Sequence, residues 1–442
     1  MIVRVCLLLA VLGIKLSVFT AAQAADIKKV ISSKGIEAWF VQDSSVPLIA
    51  MNFVFRGVGS VTDPEGREGL AKMSAALLDE GAGELQAAEF QKKLEEIAAR
   101  LSFSAGRDNY SGRLSTLVSE RDQAFNLLKL SLNRPRFDER PVERIRDQFY
   151  ASLIRNVEVP QRVLGRKWSE TVFAGHAYSR PSDGTKASIA SITKADLNTF
   201  VSTRFTRDRL IVGVVGDISE AELGRRLDQV FGGLPKIGRT FNVPDVVPTG
   251  AGKTIVVKMS IPQSAILLGH AGIKREDPDW YAALLVSRIF GGGGLSSRLY
   301  EEIREKRGLA YSVYSYLNPM QKSALVVGSV ATKNARAGES LSLIKAEWDQ
   351  LSKKGVSAEE LRDAKTYTNG SFPLRLGSSR GIAELLVGMQ LSNLGENYIK
   401  ERPSLINAVT LDDANRVARR VYDVNKLTTV VVGDPEGVVS TP

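Results

Sequence analysis

The chain has 442 residues, which is too long for a single hydrophobic core and favours two or more domains of ordinary size. With 43% apolar and 24% charged residues, its composition is that of a globular protein and excludes an intrinsically disordered chain. The net charge of +10 is spread along the chain without a basic block interleaved with aromatic residues, so no nucleic-acid-binding surface is indicated. A generic solvated basic surface is one interpretation of the charge, and docking on an acidic partner or an anionic membrane surface is the other.

The N-terminal segment has the pattern of a secretory signal peptide. Arg4 precedes an apolar run at residues 5–11, and Ala22 and Ala24 form a small-x-small cleavage site. We therefore expect residues 1–25 to be removed and the mature protein to be periplasmic, with no transmembrane span left after cleavage.

Two residues inside this segment bear on the alternative, an uncleaved membrane anchor. Lys15 interrupts the apolar run and leaves it short of a membrane span. The only cysteine of the chain, Cys6, also lies here, so the mature protein is expected to contain no disulfide and to depend on its core for stability.

A predicted helix at residues 69–82 follows a turn at residues 63–66. Positions spaced i, i+3 and i+4 share one face of a helix, and here they are Lys72, Ala75 and Ala76. Alanine has no ligand atom, and a lysine ammonium has no lone pair and repels a dication. This helix face is therefore not expected to hold a metal.

The frame around these positions resembles the zinc-binding helix of the pitrilysin–insulinase metallopeptidases, in which a similar Gly-Leu-Ala sequence leads into His-x-x-Glu-His. In that family a glutamate on a later helix is the third zinc ligand, after a Phe-Asp-Glu sequence. The chain has Phe-Asp-Glu at residues 137–139, but the expected ligand position falls at Ala151 or Ser152. The resemblance thus implies a site that lacks all three ligands and the general base.

Lys72 has two interpretations. It is either a solvated helix lysine, or its ammonium occupies the former metal space and holds an acidic neighbour in place. Unchanged stability and partner binding after Lys72→Met would count against the second interpretation.

Further along, apolar residues at helical spacing in residues 85–101 predict an amphipathic helix, and alternation in residues 101–117 around a Gly-Arg-Asp-Asn sequence predicts a β-hairpin. Short strand patterns that alternate with longer helices predict an α+β fold, with helices packed against a mostly antiparallel sheet. The family resemblance implies the same architecture.

The second half of the chain repeats the first. The Asp-Pro pair at residues 63–64 returns 214 residues later at residues 277–278, and the strand-ending Gly-Asp pair at residues 216–217 returns 217 residues later. A repeat of this length predicts two homologous domains related by duplication. We predict a signal peptide at 1–25, an N-terminal domain at 26–240, a linker at 241–252 and a C-terminal domain at 253–442.

The second half contains a glycine run at residues 291–294, followed by a charged helix that includes Arg304 and by Tyr311 seven residues later. Alone, these would be a solvated helix arginine and a half-buried strand tyrosine. The whole stretch resembles the C-terminal-domain signature of the same family, in which an arginine and a tyrosine with this spacing hold substrate in the zinc site. The resemblance implies substrate binding by Arg304 and Tyr311, since a guanidinium can donate two hydrogen bonds and a phenol can donate to an oxyanion. No Lys-Ser or Lys-Thr pair follows the glycines, so they predict a flexible turn between helices rather than a phosphate-binding loop.

The two histidines of the chain, His176 and His270, lie far apart in sequence, and neither belongs to a His/Cys cluster of the kind that binds zinc. We expect both to be structural and predict no metal on this chain. No spacing of carboxylates points to a site for a harder cation.

The resemblance implies a function for the whole mature chain. In the dimeric, mitochondrial-processing-peptidase-like branch of the family, one subunit carries zinc and the other lacks it and donates the Arg/Tyr pair. We therefore expect a non-catalytic, peptide-binding subunit of a heterodimeric zinc endopeptidase, with zinc on a homologous partner. The alternatives are a stand-alone peptide-binding or chaperone-like protein and an enzyme with a relocated active site.

Overall fold

The computed structural model describes residues 26–441. The predicted signal peptide and Cys6 therefore lie outside the described residues. Within residues 26–441, no helix combines the length and the apolar character that a membrane crossing requires.

The N-terminal half is built on a six-stranded sheet with the order β1-β2-β8-β3-β7-β6. Its strands pair antiparallel except β2 with β8, which are parallel, and β4 and β5 form a separate two-stranded sheet. The strands are β1 (Lys28–Ile31), β2 (Glu37–Gln42), β3 (Leu48–Phe55), β4 (Gly81–Ala82), β5 (Leu85–Gln86), β6 (Arg100–Ala105), β7 (Tyr110–Leu117) and β8 (Leu210–Gly216).

Eight helices belong to this half, and most of them bury an apolar stripe on one face of the sheet. The predicted hairpin at residues 101–117 is confirmed as β6 and β7, which pair antiparallel. The helices are α1 (Leu70–Leu77), α2 (Ala87–Glu96), α3 (Arg121–Asn133), α4 (Glu139–Asn156), α5 (Pro160–Val172), α6 (Lys186–Ser191), α7 (Lys194–Arg204) and α8 (Glu220–Phe231).

The C-terminal half has a five-stranded sheet with the order β11-β12-β10-β13-β9, again covered by helices. Two widened, π-type helical turns follow α9, at Arg288–Gly292 and Tyr300–Glu305. The regular elements are β9 (Thr254–Lys258), β10 (Gln263–Ala271), α9 (Trp280–Ser287), β11 (Ala310–Pro319), β12 (Ala324–Lys333), α10 (Ala337–Lys354), α11 (Ala358–Gly370), α12 (Ser379–Leu391), α13 (Tyr398–Asn407), α14 (Leu411–Val421) and β13 (Thr428–Gly433).

The predicted duplication is confirmed by the topology of the two sheets. The N-terminal order β2-β8-β3-β7-β6 corresponds strand for strand to the C-terminal order β9-β13-β10-β12-β11. In both sheets the only parallel pair joins the same two positions, β2 with β8 and β9 with β13. The α+β architecture with helices layered on mostly antiparallel sheets is likewise confirmed.

Each half sends one helix to the other. Helix α5 packs through Trp168 and Val172 on the C-terminal sheet, and α12 packs through Leu386 on the outer face of the N-terminal sheet. The backbone approach is close, since a side chain at Gly213 of β8 would come within 2.7 Å of the Ala383 carbonyl oxygen of α12. Because each sheet is covered by a helix from the other half, the two domains share their cores rather than meeting at a small surface.

Three local expectations differ from the structure. The helix predicted at residues 69–82 spans only Leu70–Leu77, and Gly81, with a φ of 105°, begins the short strand β4 instead. Helix α2 ends at Glu96, earlier than the apolar stripe suggested, because Ala98 adopts a left-handed backbone (φ 50°) and the chain turns into β6. The glycine run is helical in its first part, as the π-type turn Arg288–Gly292, and not a flexible turn between helices.

Candidate functional site

Helix α1 begins at a buried carboxyl group. The two side-chain oxygens of Asp63 accept hydrogen bonds from the backbone N–H groups of Gly69 (3.1 Å) and Ala71 (3.0 Å). Burial raises the pKa of Asp63 to about 7. Gly69 has a φ of 95°, and a Cβ there would lie 2.6 Å from the Cδ1 of Ile189, so only glycine fits this entry to the helix. The Asp-Pro turn and the glycine together set where α1 starts.

Lys72, Ala75 and Ala76, which stand where the family has metal-site residues, lie on α1. Ala75 is buried and Lys72 is half-buried. The ammonium of Lys72 forms an ion pair with the carboxylate of Asp183, which lies 111 residues further along the chain. Lys72 thus does hold an acidic neighbour, as one of its two interpretations required. That the ammonium fills the former metal space stays a prediction.

Helix α4 packs against α1 and carries Ala151 and Ser152, the positions where the third ligand was expected. The structure therefore brings the two segments that would hold the metal ligands together on neighbouring helices. Neither segment offers a ligand, and residues 26–441 contain no group of three or more His, Cys, Asp or Glu side chains placed to hold a metal ion. Zinc therefore does not fit the residues that α1 and α4 present at these positions.

Both histidines are engaged in contacts within the fold. His176 Nδ1 accepts the N–H of Tyr178 (3.1 Å), and its Nε2 lies 3.1 Å from the carbonyl oxygen of Pro244. His270 Nε2 accepts the indole N–H of Trp348 (3.0 Å), and burial lowers the pKa of His270. These partners support a structural role for each imidazole.

Arg304 and Tyr311 are in contact. The guanidinium carbon of Arg304 lies 4.7 Å from the centre of the Tyr311 ring and 4.8 Å from the centre of the Tyr300 ring. The nearest carboxylate is that of the adjacent Glu305, at 3.9 Å. The Tyr311 side chain is 83% exposed. A cation and a phenol are therefore presented side by side to solvent.

The strand that carries Tyr311 is an edge of the C-terminal sheet. Among the strands that the structure describes, β11 pairs with β12 alone, and the register shifts between Ala310 and Val313, beside Tyr311. Tyr314 and Tyr316 follow on the outward face, with ring centres 6.1 Å apart. These two tyrosines were not predicted from the sequence, although their alternation with Val313 and Ser315 was a visible signal.

The glycine run packs directly behind this strand. A Cβ at Gly291 would lie 2.5 Å from the backbone nitrogen of Ser315, so the turn can approach β11 only because the side chain is absent. Two contacts attach the segment to α11: the guanidinium of Arg288 lies 3.4 Å from the centre of the Tyr367 ring, and Arg298 pairs with Glu360 through two hydrogen bonds. Gly291 therefore serves close packing.

A cavity of about 1110 Å³ lies between the two domains. Its walls come from the β6–β7 hairpin, the segment joining α4 to α5, the loop that contains Asp183, and the β11–β12 hairpin, which includes Tyr316 in the lining. The two hairpins meet at their tips, where the Gln321 side chain donates to Asn109 Oδ1 (2.8 Å). No hydrogen bond or ion pair within residues 26–441 joins Lys72 to Arg304 or Tyr311.

Sequence comparisons match the chain to one family over both halves. The profile described as "Insulinase (Peptidase family M16)" matches residues 50–186, and the profile described as "Peptidase M16 inactive domain" matches residues 191–367. A Helicobacter pylori protein named "Non-peptidase homolog YmxG" is 27% identical over 420 residues, which cover 95% of this chain and 97% of that protein. A Bacillus subtilis protein named "Uncharacterized zinc protease YmxG" is 22% identical over 402 residues, which cover 90% of this chain and 96% of that protein.

Solved structures agree with these matches. The crystal structure of a peptidase M16 inactive domain from Pseudomonas fluorescens superposes with a TM-score of 0.86 at 26% identity, covering 94% of this chain and all of that one. A protease from Helicobacter pylori superposes with a TM-score of 0.83 at 21% identity, covering 92% of this chain and 99% of that one, which shows a shared fold.

Proposed function

Because the chain belongs to the insulinase-type M16 peptidase family as an inactive homologue, we propose that it is the non-catalytic, substrate-binding subunit of a heterodimeric zinc endopeptidase in the periplasm. In this proposal a homologous partner holds the zinc, and this chain donates Arg304 and Tyr311 to the partner's active site. The substrates are unfolded peptides.

The observation that carries the proposal is the paired loss and retention of functional groups. The α1 face has Lys72, Ala75 and Ala76 where metal ligands would lie, while the Arg304–Tyr311 pair is intact and exposed on the edge of a sheet. An exposed tyrosine that packs on an arginine contributes little to folding, so a role in binding accounts for it better than a role in stability. The division of labour is physically sound, because catalysis needs oriented donors as well as a metal, and the two can lie on different chains.

The position of the pair suits an extended peptide. A β-strand edge offers unpaired backbone donors and acceptors to a substrate in extended conformation. Beside that edge, the guanidinium of Arg304 can bind a peptide carbonyl or carboxylate, and the neutral phenol of Tyr311 can donate a hydrogen bond to an oxygen on which negative charge develops. Zinc on the partner would supply the Lewis acid.

The test is to co-express the chain with a homologue that has an intact His-x-x-Glu-His motif and to measure peptide cleavage by the purified pair. Tyr311→Phe removes the hydroxyl but keeps the ring on Arg304, and Arg304→Lys keeps the charge but loses the fork of donors. We expect each variant to lower kcat/KM by at least about tenfold. Tyr367→Phe is the matched control, since Tyr367 is exposed and belongs to another arginine–tyrosine stack of the same domain.

Cleavage at the full rate by the Tyr311→Phe and Arg304→Lys pairs would contradict the donation of these groups. Failure of the chain to associate with any zinc-bearing homologue would contradict the heterodimer itself. A pull-down from periplasm followed by mass spectrometry identifies the partner directly.

The second candidate is a stand-alone peptide-binding or chaperone-like protein without proteolytic activity. The specific observation in its favour is the cavity of about 1110 Å³, which lies wholly within this chain between its two domains. If this second candidate is correct, the purified chain binds unfolded peptides with the same affinity alone and with a partner. On the subunit proposal, affinity rises when the partner is added.

A further inference from the structure

The cavity between the domains has a size and a lining that indicate what it can hold. Its volume of about 1110 Å³ lies above the range of about 300–1,000 Å³ that is typical of small-molecule sites, which suits a peptide segment better than a metabolite. Strand β11 contributes Tyr316 and Asn318 to one wall, so the cavity opens beside the sheet edge described above.

The charged side chains in the lining are unequal in number. Cationic groups outnumber carboxylates five to three among the lining residues. The carboxylates are Asp108, Glu170 and Asp183, and the cations are Arg107, Arg162, Arg166, Lys167 and Arg180.

Each carboxylate is already engaged inside the protein. Asp108 accepts the hydroxyl hydrogen bond of Tyr178 and the N–H of Gln321. Glu170 forms an ion pair with Arg166 at 3.0 Å, and Asp183 forms one with Lys72. Each lining carboxylate therefore already has a donor or a cation beside it.

Several of the cations, by contrast, lack a carboxylate partner. Within residues 26–441, neither Arg162 nor Lys167 takes part in an ion pair. Arg180 donates to the carbonyl oxygens of Val61 and Asp63, which leaves its charge uncompensated by a direct partner. Arg107 donates to Ser169 Oγ at 3.3 Å, and burial lowers its pKa, as expected for a cation that has lost water without gaining a full ion pair.

The remaining lining is largely apolar. Leu153 and Val157 at the end of α4 face the cavity, and Val157 is 61% exposed although it is aliphatic. Trp168 and Tyr316 contribute aromatic surface on other walls. A ligand that fits this lining combines apolar side chains with negative charge.

From this juxtaposition of unpaired cations with apolar and aromatic walls, we infer that the cavity selects extended peptide segments in which acidic side chains are interspersed with apolar ones. This inference rests on the proposed function as a peptide-binding subunit, and it specifies the class of substrate. The electrostatic preference arises because the carboxylates of the peptide would meet Arg162 and Lys167, two lining cations that form no ion pair within residues 26–441.

The experiment measures binding of three fluorescein-labelled peptides to the purified full chain by fluorescence anisotropy. The peptides share the same apolar and glycine residues and carry aspartate, asparagine or lysine at the same positions. We expect the aspartate peptide to bind about tenfold more tightly than the asparagine peptide, and the lysine peptide to bind most weakly.

A charge-reversal pair locates the preference. Arg162→Glu with Lys167→Glu is expected to abolish or invert the order of the three peptides. The matched control, Arg140→Glu with Lys129→Glu, makes the same change in net charge at two exposed helix positions outside the cavity and should keep the order. Loss of preference in both pairs would assign it to net charge and overturn the inference.

Two results with the unaltered chain separate this inference from the proposed function. Equal binding of the three peptides would overturn the acidic preference and leave the substrate-binding subunit intact. Binding of none of them, either by the chain alone or with its zinc-bearing partner, would contradict the proposed function as well. The peptide series needs no variant, so it is decisive even if a substitution disturbs folding.

Discussion

The guanidinium of Arg304 lies over the ring of Tyr311, with 4.7 Å between the guanidinium carbon and the ring centre. The pair spans the junction between a π-type helical turn and an edge strand, and Tyr300 contacts the same guanidinium from the turn itself. This arrangement orders the arginine while it leaves the phenol in solvent.

Tyr311→Ala should lower the free energy of unfolding of the isolated chain by less than about 1 kcal/mol, because an exposed cation–π contact is worth about that much. Tyr422→Ala should cost about 3–5 kcal/mol, because Tyr422 is fully buried in the C-terminal core. Urea unfolding followed by circular dichroism compares the two variants. A large loss for Tyr311→Ala would mean that the pair is structural and would weaken the proposed role in substrate binding.

The purified chain should contain no stoichiometric zinc and show no chelator-sensitive hydrolysis. Introducing Lys72→His, Ala75→Glu and Ala76→His would place two imidazoles on one face of α1 without a third ligand. Adding Ser152→Glu on the neighbouring α4 should then raise zinc affinity by at least about tenfold, measured by competition with a chromogenic chelator. Zinc bound to the unaltered chain, together with turnover, would refute the proposal that this chain is non-catalytic.

A cluster of charges near the start of α9 should make the free energy of unfolding decrease at acidic pH. Arg416 donates two hydrogen bonds of 2.7 Å to Asp279, Arg420 also contacts it, and the hydrogen bond from Arg416 is the largest cause that lowers the pKa of Asp279 to about 2. A carboxyl group whose pKa is lower in the folded than in the unfolded state stabilises the fold above about pH 4, and this contribution is lost as the pH falls towards 2.

Asp279→Asn should therefore reduce stability at neutral pH by about 1 kcal/mol and make the loss of stability between pH 4 and 2 less steep. Urea unfolding at several pH values measures this. Asp349→Asn is the control, because it breaks an ion pair between neighbouring turns of α10 in which Lys353 is exposed, and such a pair contributes little to stability. If the free energy of unfolding of Asp279→Asn fell with pH in parallel with that of the unaltered chain, Asp279 would not be a source of the acid sensitivity.

Gly291→Ala should destabilise the protein by about 1–3 kcal/mol, because the added methyl group would lie 2.5 Å from the backbone nitrogen of Ser315 and force β11 away from the turn. Gly388→Ala is the opposite case. Gly388 lies on an exposed face of α12 with no atom within 4 Å of the added group, so alanine should stabilise by about 1 kcal/mol. Thermal unfolding measures the change in stability of both variants. If Gly291→Ala left the stability unchanged, the turn would not be tightly packed on β11.

The periplasmic location remains a proposal that rests on the N-terminal sequence. Cell fractionation should find the chain in the periplasm, and N-terminal sequencing should place its start near Ala25. Replacing Ala22 and Ala24 with leucine removes the small residues that signal peptidase requires and should leave a longer, membrane-associated form. A cytoplasmic protein that begins at Met1 would exclude this location.

The sequence by itself determined the features that depend on which atoms are present. Ala75 and Ala76 have no ligand atoms in any fold, so the loss of the metal site needed no coordinates. The duplication was visible because the Asp-Pro and Gly-Asp pairs recur at a nearly constant distance. The hairpin of β6 and β7 was visible because the alternation lies within one short segment.

The tertiary structure alone decided which distant groups meet. Lys72 finds Asp183 across 111 residues, α5 and α12 each cover the sheet of the other domain, and Arg162, Lys167 and Tyr316 surround one cavity. Local patterns record the periodicity of a helix or strand, whereas these contacts follow from how whole layers pack, which depends on side chains far apart in the chain. For the same reason the glycine run could be misread, because Gly291 packs against the backbone of Ser315, a contact that no pattern within the run reveals.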